Sequence, residues 1–317
     1  MNMNIIGTRK IWLTVSAVFL ALSLFSIWKN GMNAGIEYTG GTNMEIQLSK
    51  PIRAETVLKA IESSPELAGM RLRVQVQPRR SVNLQAKAEY GMILRTRALS
   101  ESQVRKVLEE LGRILSPEYG KGFHYEDVNV YRVEPSLGRE LLAKAIWAVI
   151  WSSVGILLYV SFRFEFKSGV TAVVALVHDV IVVMGMASLL RLEVNGPFLA
   201  AVLTTVGYSI NDTIVIYDRI RENMKARKKG ETFEELVNRA ILSVWRRCIN
   251  TGGTTIVAII PLFLLVPSIH EFTLSMIVGV ITGTYSSIFI ASALWVIWRS
   301  WTEKKQRSKQ PFVKAGI

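Results

Sequence analysis

Long apolar runs separated by short charged segments dominate the pattern of this chain. Windows near 10–28, 142–160, 168–190, 197–217, 247–266 and 272–298 are each long and apolar enough to predict a bilayer-spanning helix, which takes ~20 residues. Between the first two, the pattern changes character. Thr42–Leu48 alternates, with Met44, Ile46 and Leu48 on one face, and Met70–Val76 alternates again through Leu72, Val74 and Val76. A weaker strand is predicted over 91–97 around Met92 and Leu94, and an aromatic and valine-rich strand over 123–133. Helical spacing of Val57, Leu58 and Ile61 predicts a helix over 53–63. Ser100 with Gln103 forms a capping-box start for a second helix, whose stripe is Val104, Val107, Leu108, Leu111 and Ile114. The order βαββαβ is that of a small ferredoxin-like α+β domain. Gly40-Gly41 before its first strand predicts a tight turn.

The fold class expected is therefore an α-helical polytopic membrane protein of six spans, with an α+β domain inserted after the first. Residues 1–30 hold the first span, 31–140 the α+β domain, 141–300 the other five spans and 301–317 a basic tail. Arg9 and Lys10 precede an apolar core, as in a signal peptide, but no small-x-small cleavage site with a clear break follows. Ile27-Trp28-Lys29 reads as an interfacial end, so the first span is expected to be an uncleaved anchor.

Charge orients the spans. The chain carries 38 Lys and Arg against 25 Asp and Glu, a formal net charge of +13, with a pI near 9.9. Such a balance fits nucleic-acid binding, but half of the residues are hydrophobic and the apolar runs are too long for that reading. The bases gather before the first span, at Arg163 and Lys167, through 219–247 and in the tail, and with six spans these segments share one side. The positive-inside rule makes that side cytoplasmic, with both termini there and 31–140 outside. No nucleic acid is expected as a partner. One cysteine, Cys248, rules out an internal disulfide framework, and His124, His178 and His270 are too scattered for a metal site. No P-loop, GxGxxG or HExxH is present, and 31–140 offers no paired carboxylates or nucleophile, so neither a cofactor nor an enzymatic activity is expected.

Polar groups inside the spans are costly and therefore informative. His178 and Asp179 lie in the third span, and counting from Ser168 at ~1.5 Å per residue puts Asp179 ~16 Å deep, near mid-bilayer. In the fourth span, GYSINDTIVIYDRIREN at 207–223 buries Asn211 and Asp212 in an apolar run. Thr205, Tyr208, Ser209 and Asp212 share a helical face, and Arg219 continues that stripe at the rim. The fifth span opens with Asn250, Thr251, Thr254 and Thr255, and the sixth carries Thr282, Thr284, Tyr285, Ser286 and Ser287. Four helices thus each offer a polar face to one seam, though hydroxyls on membrane helices also bond their own backbone. Gly279 and Gly283 form a GxxxG, a helix-packing signal. Asp179 is the leading candidate for binding and releasing a proton. Adjacency alone does not make His178 a relay.

Several segments resemble one known family. VEPSLGRELLAKAI at 133–146, ALVHDVIVVMG at 175–185 and the 207–223 block look like the SecF protein-export membrane subunits of the SecD/SecF family. NAGIEYTGGTNMEI at 33–46 resembles that family's first motif, with Glu37-Tyr38 where Asp-Phe is usual, and TGGTT at 251–255 and GVITGTYSSIFIASAL at 279–294 resemble its last spans. The resemblance implies an accessory subunit of the Sec translocase that pairs with SecD, works beside the SecYEG channel and a YidC-type insertase, and handles unfolded preproteins in the membrane lipid. It also implies a likeness to proton-driven RND transporters, with protons as the coupling ion. By motif, Asp179 is then the proton-binding residue, Asp212 and Arg219 its partners, and His178, Asn211, Tyr208 and Ser209 supporting polar groups. A small RND-like exporter and a scaffold without proton transfer are the rival expectations.

Overall fold

The computed structural model describes residues 4–48, 53–68, 73–79, 89–119, 128–266 and 269–309. From the N-terminus, α1 (Arg9–Asn30) leads to β1 (Asn33–Ala34), α2 (Ile36–Thr39), β2 (Gly41–Leu48), α3 (Ala54–Ser63) and α4 (Pro65–Ala68). Then come β3 (Arg73–Arg79), β4 (Glu89–Thr96), α5 (Glu101–Tyr119) and β5 (Val128–Val133). Next are α6 (Pro135–Arg163), α7 (Phe166–Leu189), β6 (Glu193–Val194), α8 (Gly196–Lys225) and α9 (Phe233–Leu265). Finally α10 (His270–Ser286) runs through a π-helical turn (Ser287–Ala291) into α11 (Ser292–Lys309). The chain divides into two compact units, one of Met1–Asn33, Trp147–Leu265 and Ile269–Ile317, the other holding Ala34–Ile146. These boundaries fall a few residues beyond those expected at 30/31 and 140/141.

The first unit is a helix bundle. Six helices are long and apolar enough to cross a membrane, and they match the six predicted windows one for one, so the chain is a multi-pass membrane protein. Packing within the bundle is uneven. The apolar window of α6 has no buried position, whereas more than half of those of α7 and of the last span is buried, so these two sit at the centre. Gly279 and Gly283 of α10 meet Thr205 and Ser209 of α8 closely enough that an added Cβ would collide with them. Gly185 of α7 does the same against Ser23 of α1. Without a hydrophobic force between helices in lipid, such small residues are what allow close approach. The GxxxG is thus used inside this chain and not kept for a partner.

Local signals set the helix ends. Asn195 accepts from Phe198 N–H (3.0 Å) at the start of α8, and Thr232 with Glu235 forms a reciprocal capping box for α9 (2.9 and 3.2 Å). The connection expected over 219–247 shrinks to 226–232, because α8 and α9 continue past the lipid boundary as charged helix. Bases from the segments flanking the spans gather at one end of the bundle, through Arg9–Glu234 (2.9 Å), Arg163–Asp218 (3.1 Å), Arg299–Glu165 (3.5 Å) and Lys167–Thr302 (3.0 Å). We call it the basic end.

The second unit is an antiparallel sheet in the order β3-β4-β2-β5, with α3 and α5 in the connections. Met44 of β2 faces Leu94 of β4 and Val130 of β5 across the ladders. Met44, Ile46, Met92 and Leu94 pack with Val57, Ile61, Val104, Val107, Leu108 and Leu111 as one core. Ser100 and Gln103 form the expected capping box (2.9 and 3.3 Å). Leu58, expected on the core face of α3, is exposed instead, and Ala60 takes that place. Met70, Leu72, His124 and residues 123–127 of the predicted strands, and residues 310–317 of the tail, lie outside the described residues. Gly40 (φ 73°) and Gly41 (φ 152°) take the turn before β2 in backbone conformations that side chains strain, as expected of a tight turn. Gly138 at the start of α6 lies against it, its missing Cβ leaving room for Tyr38 O and Gly40 N. Two motif segments read separately in the sequence thus meet.

Candidate functional site

Asp179 lies halfway along α7 and is 1% exposed. A buried carboxylate stands only if its lone pairs are satisfied, and three side chains do so from three directions. Ser209 of α8 donates to Oδ2 (2.8 Å), Ser286 of α10 donates to the same oxygen (2.7 Å), and His178 Nδ1 lies 3.0 Å from Oδ1. The site therefore joins α7, α8 and α10. Its closeness depends on Gly283, against which Ser209 packs.

The π-helical turn begins one residue after Ser286. An extra residue in a helical turn re-aims side chains and frees backbone groups. Here Ser287 Oγ donates to Ser209 O (3.0 Å) and pairs with Thr213 Oγ (2.8 Å). Ser292 closes the turn by donating to Ser287 O (3.3 Å). Consecutive serines thus serve different partners: Ser286 the carboxylate, Ser287 the backbone of the helix carrying its other donor. Nothing in the sequence marks the turn, although the hydroxyls of the sixth span are noted there.

The fourth-span stripe divides. Thr205, Ser209 and Asp212 are buried, while Tyr208 and Asn211 point out of the bundle. Asp212 accepts from Thr284 (3.4 Å), and the cation whose field reaches it is Arg247 of α9. Arg219 stands apart. Its Nε donates to Ser243 (2.9 Å) and its Nη1 to Glu222 (2.6 Å) at the basic end. Asp179, His178 and Ser209 are brought together; Asp212 forms a neighbouring group with Thr284, and Arg219 joins neither. Thr251, Thr254 and Thr255 of α9 bond their own backbone carbonyls, so the fifth helix does not line the Asp179 site.

Toward the basic end the site is closed by aromatic packing. Tyr217 pairs with Thr171 (2.8 Å) and meets Trp295 edge-on at 4.9 Å. Tyr285 donates to Trp12 O (2.8 Å) and pairs with Ser16 (3.1 Å), while Trp12 and Phe289 lie 4.1 Å apart. Among the described residues no cluster of His, Cys, Asp and Glu could hold a metal ion.

The chain is similar to known proteins. A family profile described as protein export membrane protein SecD/SecF, C-terminal, matches residues 117–301, and one described as the SecD/SecF GG motif matches residues 25–52. The protein translocase subunit SecF of Sebaldella termitidis is 34% identical over 310 residues, which is 98% of this chain and 96% of that protein. The protein translocase subunit SecDF of Bacillus subtilis is 33% identical over 305 residues, 95% of this chain but 39% of that protein. The crystal structure of SecDF from Thermus thermophilus, titled a translocon-associated membrane protein, superposes with a TM-score of 0.77 at 33% identity, covering 94% of this chain and 39% of that one. The chain thus spans about two fifths of the SecDF chains that it matches.

Proposed function

The chain belongs to the SecD/SecF family of protein export membrane proteins, and from that premise we propose that it is a subunit of the Sec translocase that couples proton movement to preprotein export. A second half of SecD type, carried on the same chain in the SecDF relatives, is its partner. The SecYEG channel, a YidC-type insertase and unfolded preproteins complete the proposed setting. Charge supports the orientation: the basic end is cytoplasmic, and residues 31–140 belong to the opposite side. No catalysed covalent step is proposed.

One observation carries the reading. Asp179 is a buried carboxylate midway along a membrane helix, held by donors from two other helices. Such a group is expensive unless it is used. Taking up a proton removes the charge that orders Ser209 and Ser286, so the packing of α7 against α8 and α10 changes with protonation. One charge crossing 100 mV corresponds to ~2.3 kcal/mol, which biases a two-state arrangement roughly fifty-fold. Asp212, with Thr284 and Arg247, forms a second charged group closer to the basic end. Arg219, tied to Ser243 of α9 and Glu222 of its own helix, links α8 to α9 at the basic end.

The test is Asp179→Asn in the full complex, reconstituted with a proton gradient imposed across the vesicles. The gradient-dependent part of export is expected to vanish while ATP-driven translocation and assembly persist. A variant that responds to the gradient as wild type does would make Asp179 a packing group and the subunit a scaffold.

A further inference from the structure

Away from the basic end, α1 and α10 part over α7 around a cavity of about 630 Å³. Its α1 wall runs from Phe19 to Asn30 and its α7 wall from His178 to Leu189. Each is twelve residues, whose eleven steps rise ~16 Å, about half the ~30 Å hydrocarbon core. The cavity therefore reaches from one membrane face to its middle and stops at the site. Most of the lining is apolar, but Ser23, Ser26, Asn30 and Lys29 mark one wall and Tyr285 the inner end.

His178 joins cavity and carboxylate. The residue is 5% exposed, it lines the cavity, and its Nε2 is a buried polar atom without a hydrogen-bond partner among the described residues. An imidazole that gives its Nδ1–H to a carboxylate leaves Nε2 as an acceptor, and a buried acceptor left unmet is costly. A water molecule would satisfy it, and the cavity has the room, with Ser23, Ser26, Asn30 and Lys29 as polar groups along an otherwise apolar lining. Besides Asp179 on its own helix, the titratable groups facing this space are Lys29 of α1 and Tyr285 of α10.

We infer that the cavity is a water-filled entry to Asp179 and that His178 passes protons across the last gap. The inference rests on the proton-coupling reading above. A hydronium in the cavity gives its proton to Nε2 and becomes water. The Nδ1 proton moves to Asp179 Oδ1 along the 3.0 Å contact, leaving a neutral carboxyl and a neutral imidazole protonated on Nε2. When the helices repack and this contact opens, cavity water protonates Nδ1 and removes the Nε2 proton. That restores the starting tautomer with no net gain or loss.

The test uses the reconstituted full complex and reads gradient-driven proton uptake with a trapped pH dye. His178→Gln keeps an N–H donor for Asp179 but cannot pass a proton through a ring, and it is expected to slow uptake roughly 10²-fold. His178→Ala is expected to be as slow and to be rescued by free imidazole added on the cavity side, which a packing role would not allow. Wild-type uptake in His178→Gln, or no rescue of His178→Ala, would overturn the relay. Asp179→Asn, run in parallel, separates the cases: if it too takes up protons as wild type does, the proton-coupling reading itself has failed. A cysteine at Val182 in a Cys248→Ala background reports the contents. It is expected to react with a charged, water-soluble thiol reagent far faster than one at lipid-facing Val257. Equal rates would mean that an acyl chain fills the cavity, and the proposal would be wrong.

Discussion

On the basic side of Asp179, the helices close around Trp12, Tyr217, Phe289 and Trp295, rings in contact and hydroxyls paired. On the other side, α1 and α10 separate over α7 around a 630 Å³ space. The two halves share α1 and the last span and differ in what lies between those helices. On the basic side the rings of Trp12, Tyr217, Phe289 and Trp295 fill the space. On the other side Gly185 lets Ser23 of α1 close onto α7, and the gap is left between α1 and α10. A close-packed interior admits no water, whereas a space with polar partners does. A carboxylate between them is approached from one side, which is what the proposed proton coupling requires.

The most drastic way to break this contrast is to open the closed half. Trp295 is 1% exposed, and Trp295→Ala is expected to cost about 3–5 kcal/mol, read as a lowered midpoint of unfolding in detergent, and to make the vesicles leak protons without any substrate. Driving a wedge between α8 and α10 comes next. Gly283→Leu places a side chain where Ser209 already sits, and a loss of about 1–3 kcal/mol is expected in the same assay, together with a weakened response to the gradient because a donor to Asp179 is displaced. Filling the open half should do the reverse to the two readouts. Ile281 lines the cavity and is 53% exposed, so Ile281→Trp should change stability by less than about 1 kcal/mol while slowing proton uptake.

The smallest expected effect lies outside the membrane and serves as a control. Hydrogen bonding from Arg239 holds the Glu231 carboxyl below the ordinary glutamate range, helped by the Lys228 backbone N–H. A lowered carboxyl contributes stability that is complete above its unfolded value, ~4.3, and is lost as pH falls through its folded value. A spin label at Lys229→Cys should therefore stay equally ordered from neutral pH down to that range and loosen only below it. Arg239→Gln should show part of that loosening already at neutral pH. Proton uptake should respond to neither.

Spans were legible because the bilayer imposes a length on every apolar run, and that length can be counted. Asp179 was legible for a related reason: a carboxylate there breaks the run. Its donors were not. Ser209 and Ser286 are separated by 77 positions, and only the packing of α8 on α10 through Gly279 and Gly283 joins them. Arg219 shows the opposite error. Helical spacing puts it on the stripe of Asp212, but a long side chain at a helix end reaches sideways, and Ser243 of α9 was the nearer partner. Tyr208 points out of the bundle because a stripe chosen by polarity is wider than the strip a neighbouring helix covers. The split of the GG turn and Gly138 between two distant motifs hid their contact in the same way.

The π-helical turn at Ser287–Ala291 also constrains how this gene can drift. A regular α-helix turns ~100° per residue, so deleting one residue from the turn would do more than shorten the last span. It would restore ordinary winding and rotate all of α11 by about that angle, swinging Trp295 away from Tyr217 while leaving every side chain chemically intact. The segment is therefore a place where a single-codon length change alters every contact beyond it, which a library of indels through 284–294 would read out directly.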